Sequence, residues 1–128
     1  MRTSHDFERV FAAMMQRQPN AFVTTADDLI QRHIEQIIDF MAKHRLPAMY
    51  QTRENVVAGG LMAYGAPLSS LFRRSAWYVH RILQGAKPAQ LPIEQPTKFE
   101  LTINIKTAKS PGLQIPSTLL ARADEVIE

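Results

Sequence analysis

Cysteine is absent from this 128-residue chain. That removes disulfides, thiolate metal centres and a cysteine nucleophile, although it assigns no compartment. Glycine is sparse, and neither GxGxxG nor GKS/T surrounds Gly59-Gly60, so no phosphate loop is expected there. The four histidines, at 5, 33, 44 and 80, show no HxH or HExxH spacing. His33 and His44 fall on the polar side of their helix and are expected to be solvated, with no metal and no cofactor implied. Ser69 and Ser70 lack a GxSxG context. No enzyme signature remains, and a non-enzymatic role is expected.

Excess charge of one sign is also missing. Fifteen Lys and Arg against twelve Asp and Glu leave a net charge of +3. The basic residues are scattered in short clusters such as Lys43-His44-Arg45 and Arg73-Arg74. Nucleic-acid binding would call for a denser basic stripe interleaved with aromatics, so no nucleic-acid partner is expected. No apolar run approaches membrane-spanning length. Asp6, Glu8, Arg9 and Arg17 interrupt the first twenty residues, which therefore do not read as a secretory signal.

What the chain does contain is an alternation of elements. Phe7, Val10, Phe11, Met14 and Met15 repeat at helical spacing after a potential Ser4 cap, and Pro19-Asn20 closes that helix. Ala21 to Thr25 reads as a strand. A helix follows from Asp27 or Asp28 to His44, with Ile30, Ile34, Ile37, Ile38 and Met41 on its buried face. Leu46 to Tyr50 and Leu61 to Tyr64 are further strands, with a helical turn at Arg53 to Ala58 between them. The methionines at 14, 15, 41, 49 and 62 fall on core faces, as packing. Such alternation predicts an α/β fold, a three-layer parallel sheet with right-handed crossovers and helices on both faces.

A long amphipathic helix is predicted over residues 68–84. Leu68, Leu71, Phe72, Val79, Ile82 and Leu83 form its apolar side, and Gly85 ends it. Burying six such side chains is worth on the order of 10 kcal/mol before entropy, so the helix needs a partner surface. Trp77 and Tyr78 are expected at the boundary of that packing. Phe99 to Ile105 alternates apolar and polar residues, as an edge strand with one wet face would. Residues 106–109 and 117–126 read as short helices.

Open parallel sheets bind ligands beyond the carboxyl ends of their strands. That rule selects Thr24, Thr25 and Asp27 after the first strand, Tyr50, Gln51 and Thr52 after the second, and Tyr64 and Gly65 after the third. A carboxylate, hydroxyls, an amide and an aromatic ring would suit a small polar solute. Plainer roles fit the same residues: Asp27 as a helix cap, Thr24 and Thr25 as turn residues, and Tyr64 as a half-buried edge aromatic.

Five stretches in one order carry a resemblance. They are residues 44–50 (HRLPAMY), 58–65 (AGGLMAYG), 82–92 (ILQGAKPAQLP), 95–108 (QPTKFELTINIKTA) and 112–116 (GLQIP). Together they resemble the C-terminal part of the substrate-binding proteins of ABC-type uptake systems, in the subfamily described as tryptophan/tyrosine transport components. The resemblance implies a two-lobed, hinged receptor of the type I periplasmic-binding fold, presenting a small solute to an ABC permease. It implies an intact protein in the periplasm or at the cell surface, and a chain matching about its last two-fifths. Residues 1–65 would complete the second lobe, 66–92 would carry a helix across to the first lobe, and 93–128 would return through the hinge and end in a helical tail. The resemblance places Asp27 and the Tyr64-Gly65 pair at the ligand cleft, and the strand-end rule sets Thr25 and Gln51 beside them. Asp28 stands where proline is usual, Ala66-Pro67 where an acidic residue is common, and Pro111 where a bulkier residue is usual. Without a first lobe to cover it, helix 68–84 is expected to pair with a second copy. The rival reading is a free-standing, flavodoxin-like domain that self-associates and binds no solute.

Overall fold

A computed structural model describes residues 4–109 and 112–128, with backbone alone for residues 4–6. The expected Ser4 cap and the Pro111 departure lie outside what is described. The elements are α1 (Ser4–Gln16), β1 (Phe22–Val23), α2 (Asp28–Arg32), α3 (Ile34–Lys43), β2 (Ala48–Tyr50), α4 (Arg53–Val57), β3 (Met62–Gly65), α5 (Leu68–Leu83), β4 (Glu100–Asn104), α6 (Ile105–Lys109), α7 (Ser117–Leu120) and β5 (Glu125–Ile127). The fold is α/β. The five strands lie in sequence order in one sheet. Strands β1, β2 and β3 are parallel, β4 runs antiparallel to β3, and β5 is parallel to β4.

The core forms where the helical periodicities meet the sheet. Phe7 and Phe11 of α1, Ile37, Ile38 and Met41 of α3, and Val56 of α4 cluster with Ala48, Tyr50 and Ala63. Tyr50 and Ala63 are register partners on neighbouring strands, so the cluster occupies the sheet face that carries them. Phe11 stacks on Phe40 at 4.0 Å between ring centroids. Burial pushes the Tyr50 hydroxyl up to about 12, which keeps it neutral inside this cluster. Gly60 is there for space: a Cβ would lie 2.7 Å from the Asn55 carbonyl oxygen and 2.8 Å from the Tyr50 ring.

Four expectations need correction. The helix expected from Asp27 to His44 is two helices, broken at His33, whose backbone has φ −116° and ψ 21°. Its imidazole is half-buried with its centroid 4.7 Å from that of Phe7, so it is not the solvated group expected from the helical wheel. The isoleucine spacing runs through the break because Ile30, Ile34, Ile37 and Ile38 all still pack at the core.

Strand β4 is internal, not an edge strand, and Leu101 through Asn104 are all buried. Its polar positions face protein: the Asn104 amide donates to the Val56 carbonyl at 3.4 Å and accepts from the Thr107 N–H at 2.9 Å. The outer strand is β5, in a stretch expected to be helical as far as Val126. Asp124 starts it, donating its N–H to the Leu101 carbonyl at 2.9 Å and accepting the Leu101 N–H on its carboxylate at 2.8 Å.

Helix α5 has its predicted length, and Gly85 follows it with φ +97°, a conformation glycine adopts without penalty. None of its residues is buried. Phe72 and Leu83 are 72% and 82% exposed. Among the described residues, no helix is long and apolar enough to cross a membrane.

The tightest approach in the sheet is at Gly65, where a Cβ would sit 1.9 Å from the carbonyl oxygen of Gln51. Backbone cannot yield as a flexible side chain can. Gly65→Ala is therefore expected to cost about 3 kcal/mol or more by forcing β2 and β3 apart. Urea denaturation reads this directly, and a midpoint unchanged from the parent would contradict that packing.

Candidate ligand-binding site at the carboxyl ends of the strands

Because β1, β2 and β3 are parallel, their carboxyl ends share one edge of the sheet. At that edge Thr24 is buried, and its N–H donates to the Met49 carbonyl at 3.0 Å. The Gln51 side chain reaches back to donate to the Thr24 carbonyl at 3.4 Å. Thr24, Gln51 and Gly65 are thereby brought together. Thr25 is exposed beside them.

Asp27 has the extended backbone of a helix cap. Its Oδ1 accepts the N–H of Leu29 at 2.8 Å and of Ile30 at 3.4 Å. The structural role named from sequence is thus filled by one oxygen, while Oδ2 takes no hydrogen bond from the described residues. Tyr64 is 54% exposed and stacks on Phe99, with centroids 5.7 Å apart and planes 24° from parallel. By strand alternation Tyr64 and Gly65 address opposite faces of the sheet.

A cavity of ≈ 90 Å³ opens at this edge. Gln51 and Gly65 line it, whereas Thr25, Asp27 and Tyr64 do not. Its remaining walls include Arg53 and Glu54 of α4, Glu100 and Thr102 of β4, and residues 66–69 at the start of α5. Arg53 and Glu125 form a two-pronged ion pair at 2.5 and 2.7 Å. That hydrogen-bonded contact holds the Glu125 carboxyl below its ordinary range and raises the Arg53 guanidinium. Lys98 is likewise raised by its 2.6 Å bond to Glu100. Both pairs are solvent-exposed and shape the rim more than they stabilise the fold.

A wider groove of ≈ 360 Å³ lies between α5 and the extended chain at 94–98. Arg74 pairs with Glu94 through two hydrogen bonds, and the Tyr78 hydroxyl donates to the Pro92 carbonyl at 2.7 Å. The Arg74 guanidinium also lies 3.9 Å from the Trp77 ring centroid. Tyr78 and Arg74 therefore hold the returning chain, with Trp77 packed against the Arg74 guanidinium.

Sequence reasoning missed Arg53, Glu54, Ser69, Glu100 and Thr102. Glu100 and Thr102 were legible as alternating polar positions, but the alternation suggested solvent when the surroundings are a cavity wall. Ser69 was considered only as a nucleophile. Among the described residues, no group of three or more His, Asp or Glu could hold a metal ion.

Comparison with known proteins gives this geometry a context. Residues 1–127 match the family model described as ABC transporter substrate binding protein. No curated protein matches the chain. A conserved domain protein from Vibrio cholerae superposes with a TM-score of 0.88 at 24% identity, over 97% of this chain and 42% of that one. An ABC domain from Streptococcus pneumonia, solved in complex with L-Trp, gives 0.81 at 24% identity, over 89% and 40%. A ligand-free, open substrate-binding protein with adhesive properties from Clostridium difficile gives 0.66 at 16% identity, over 99% and 42%. The chain thus spans about two-fifths of the length of each of these solved chains.

The capping role of Asp27 is separable from any contact with solute. Asp27→Ala should lower stability by about 1 kcal/mol, whereas Asp27→Ser should restore most of it. Thermal or urea melts of the two variants test this, and equal losses in both would remove the cap.

Proposed function

Because this chain belongs to the ABC transporter substrate binding protein family, we propose that it forms part of a hinged receptor that captures a small solute and hands it to a membrane permease. The family points to a binding role and not to catalysis. The family match along almost the whole chain carries this reading, supported by the open shelf where three parallel strands end. In this account residues 1–65 complete one lobe, 66–92 cross to the other, and 93–128 return through the hinge and form the tail. The intact receptor would work in the periplasm or at the cell surface.

On that shelf Thr25, the free Oδ2 of Asp27, Gln51 and the backbone at Gly65 would contact the solute, with the exposed ring of Tyr64 as an apolar wall. An aromatic amino acid is the solute class we favour. The similar Streptococcus protein was solved with L-Trp, and an exposed tyrosine stacked on a phenylalanine offers a platform for an aromatic ring. The opposing lobe would supply the rest of the shell.

Titration of the isolated chain with L-tryptophan, followed by amide NMR, is expected to shift Thr25, Gln51 and Gly65 with affinity weaker than micromolar. Micromolar affinity would overturn the sharing of the site between two lobes. No movement at that edge would overturn the solute reading.

The exposed apolar face of α5 fits a surface that another lobe covers, and in this chain alone a second copy would take that place. Light scattering after size exclusion should give a dimer, and Phe72→Asp should shift it towards monomer. A compact monomer of the parent chain would sink the lobe-crossing account.

A further inference from the structure

We propose that the edge of the sheet opposite the shelf is a docking surface for an anionic lipid membrane, made of Arg17, Lys43, Arg45, Lys106 and Lys109. It involves no solute and goes beyond the receptor reading above.

These five cations are far apart in sequence, and the fold gathers them. Helix α3 ends at Lys43 and leads to β2, while β4 ends at Asn104 and leads to α6. Because β2 is parallel to β3 and β4 antiparallel to it, the start of β2 and the end of β4 share one edge. Arg45 and Thr107 border the same small cavity of ≈ 30 Å³, so α6, with Lys106 and Lys109, lies beside the end of α3. Rings tie α1 to the same place: Phe11 stacks on Phe40, and Phe40 meets His44 at 4.3 Å. Arg17 directly follows α1, and a few residues on, the Phe22 N–H donates to the Pro47 carbonyl at 2.8 Å.

All five residues are exposed, and none forms an ion pair with a described residue. Acidic residues gather at the other end, where Asp27, Glu54, Glu100, Asp124 and Glu125 stand near the shelf. Closer to the basic edge, Asp39 lies one turn before Lys43 and Glu128 follows β5, and neither forms an ion pair with a described residue. Local structure does not ask for the cation at 45: Arg45 has φ +54°, a left-handed conformation that glycine adopts more easily at a helix end.

The partner's chemistry follows from what accompanies the charge. The exposed aromatic rings, Tyr64, Phe72, Trp77 and Phe99, lie at the end of β3, on α5 and on the return chain. Among the described residues, the basic edge therefore has neither the stacking platforms of a single-stranded nucleic-acid site nor the aromatic anchors of a protein interface. Lys and Arg alone suffice on a layer of lipid phosphates, whose surface potential attracts each of them. In that orientation the strands lead away from the lipid, and the shelf at their carboxyl ends stays uncovered.

The chain is mixed with vesicles of phosphatidylcholine alone, or with about one third phosphatidylglycerol, and binding is read by co-sedimentation. It should bind the anionic vesicles, leave the neutral ones, and be released in about 0.5 M salt. Each cation removed should weaken binding roughly fivefold, so Lys106→Gln with Lys109→Gln should lose about 25-fold. Arg17→Gln with Lys43→Gln, on different elements of the same edge, should lose as much. Lys87→Gln with Arg122→Gln makes the same change in net charge elsewhere and should lose less than about twofold. All six substituted residues are exposed. Equal loss from the Lys87 and Arg122 pair would mean that net charge, not the edge, is responsible, and would overturn the proposal. No binding to anionic vesicles, or equal binding to neutral ones, would overturn it too. Poly-glutamate or duplex DNA held as tightly as the lipid would reassign the edge to an acidic protein or to nucleic acid.

Discussion

The antiparallel pairing of β3 with β4 is the constraint on which the rest depends. Four registered pairs, from Met62 with Ile103 to Gly65 with Glu100, bring together the two ends of everything between residues 66 and 99. That excursion holds α5 and the extended chain returning from it, and closing so long a loop carries an entropic cost that the pairing must offset. The return chain is further tied to α5 by Arg74 with Glu94 and by Tyr78 with Pro92. Helix and return segment are therefore linked to each other, and to the sheet through two adjacent strand ends. The same pairing sets Glu100 beside Gly65, and so determines which side chains rim the shelf.

The sequence was most informative where one periodicity governed many residues. Phe7 and Phe11 in α1, and Ile37, Ile38 and Met41 in α3, pack as their spacing indicated. The start and end of α5 follow from Pro67 and Gly85. The parallel order of the first three strands follows from the helices between them. It was least informative where a short element rests on distant partners. Glu125–Ile127 is three residues long and is a strand because β4 lies beside it, anchored by Asp124. The break at His33 is invisible in the isoleucine pattern because that pattern persists on both sides of it. For the shelf, strand ends located Gln51 and Gly65, but the α4 and β4 walls needed the fold.

Helix α5 shows how an amphipathic pattern predicts the need for a partner without predicting the partner's presence. Its apolar face was legible in full, yet Phe72, Val79 and Leu83 meet no core in this chain. An exposed apolar face of this extent is characteristic of a surface made to be covered. The other flank is partly occupied: Arg74 lies over Trp77 and holds Glu94, so the aromatic ring is sheltered by a charged group already fixed in place. One flank of the helix is thus open, and the other is tied to the return chain.

Polar residues inside β4 and next to it divide into those that complete backbone and those that line the shelf. Asn104 and Asp124 are both satisfied by backbone groups, Asn104 through Val56 and Thr107, Asp124 through Leu101. Each replaces a bond that irregular chain would otherwise leave open, and that fully explains why a polar side chain is there. Among the described residues the side-chain nitrogen of buried Asn55 lacks a partner, but Asn55 does not line the shelf cavity, and its backbone carbonyl is engaged by Gly60. Thr102 differs from all three: it is buried in β4 yet lines that cavity, so its hydroxyl can be satisfied from the cavity side and is not spent on neighbouring backbone.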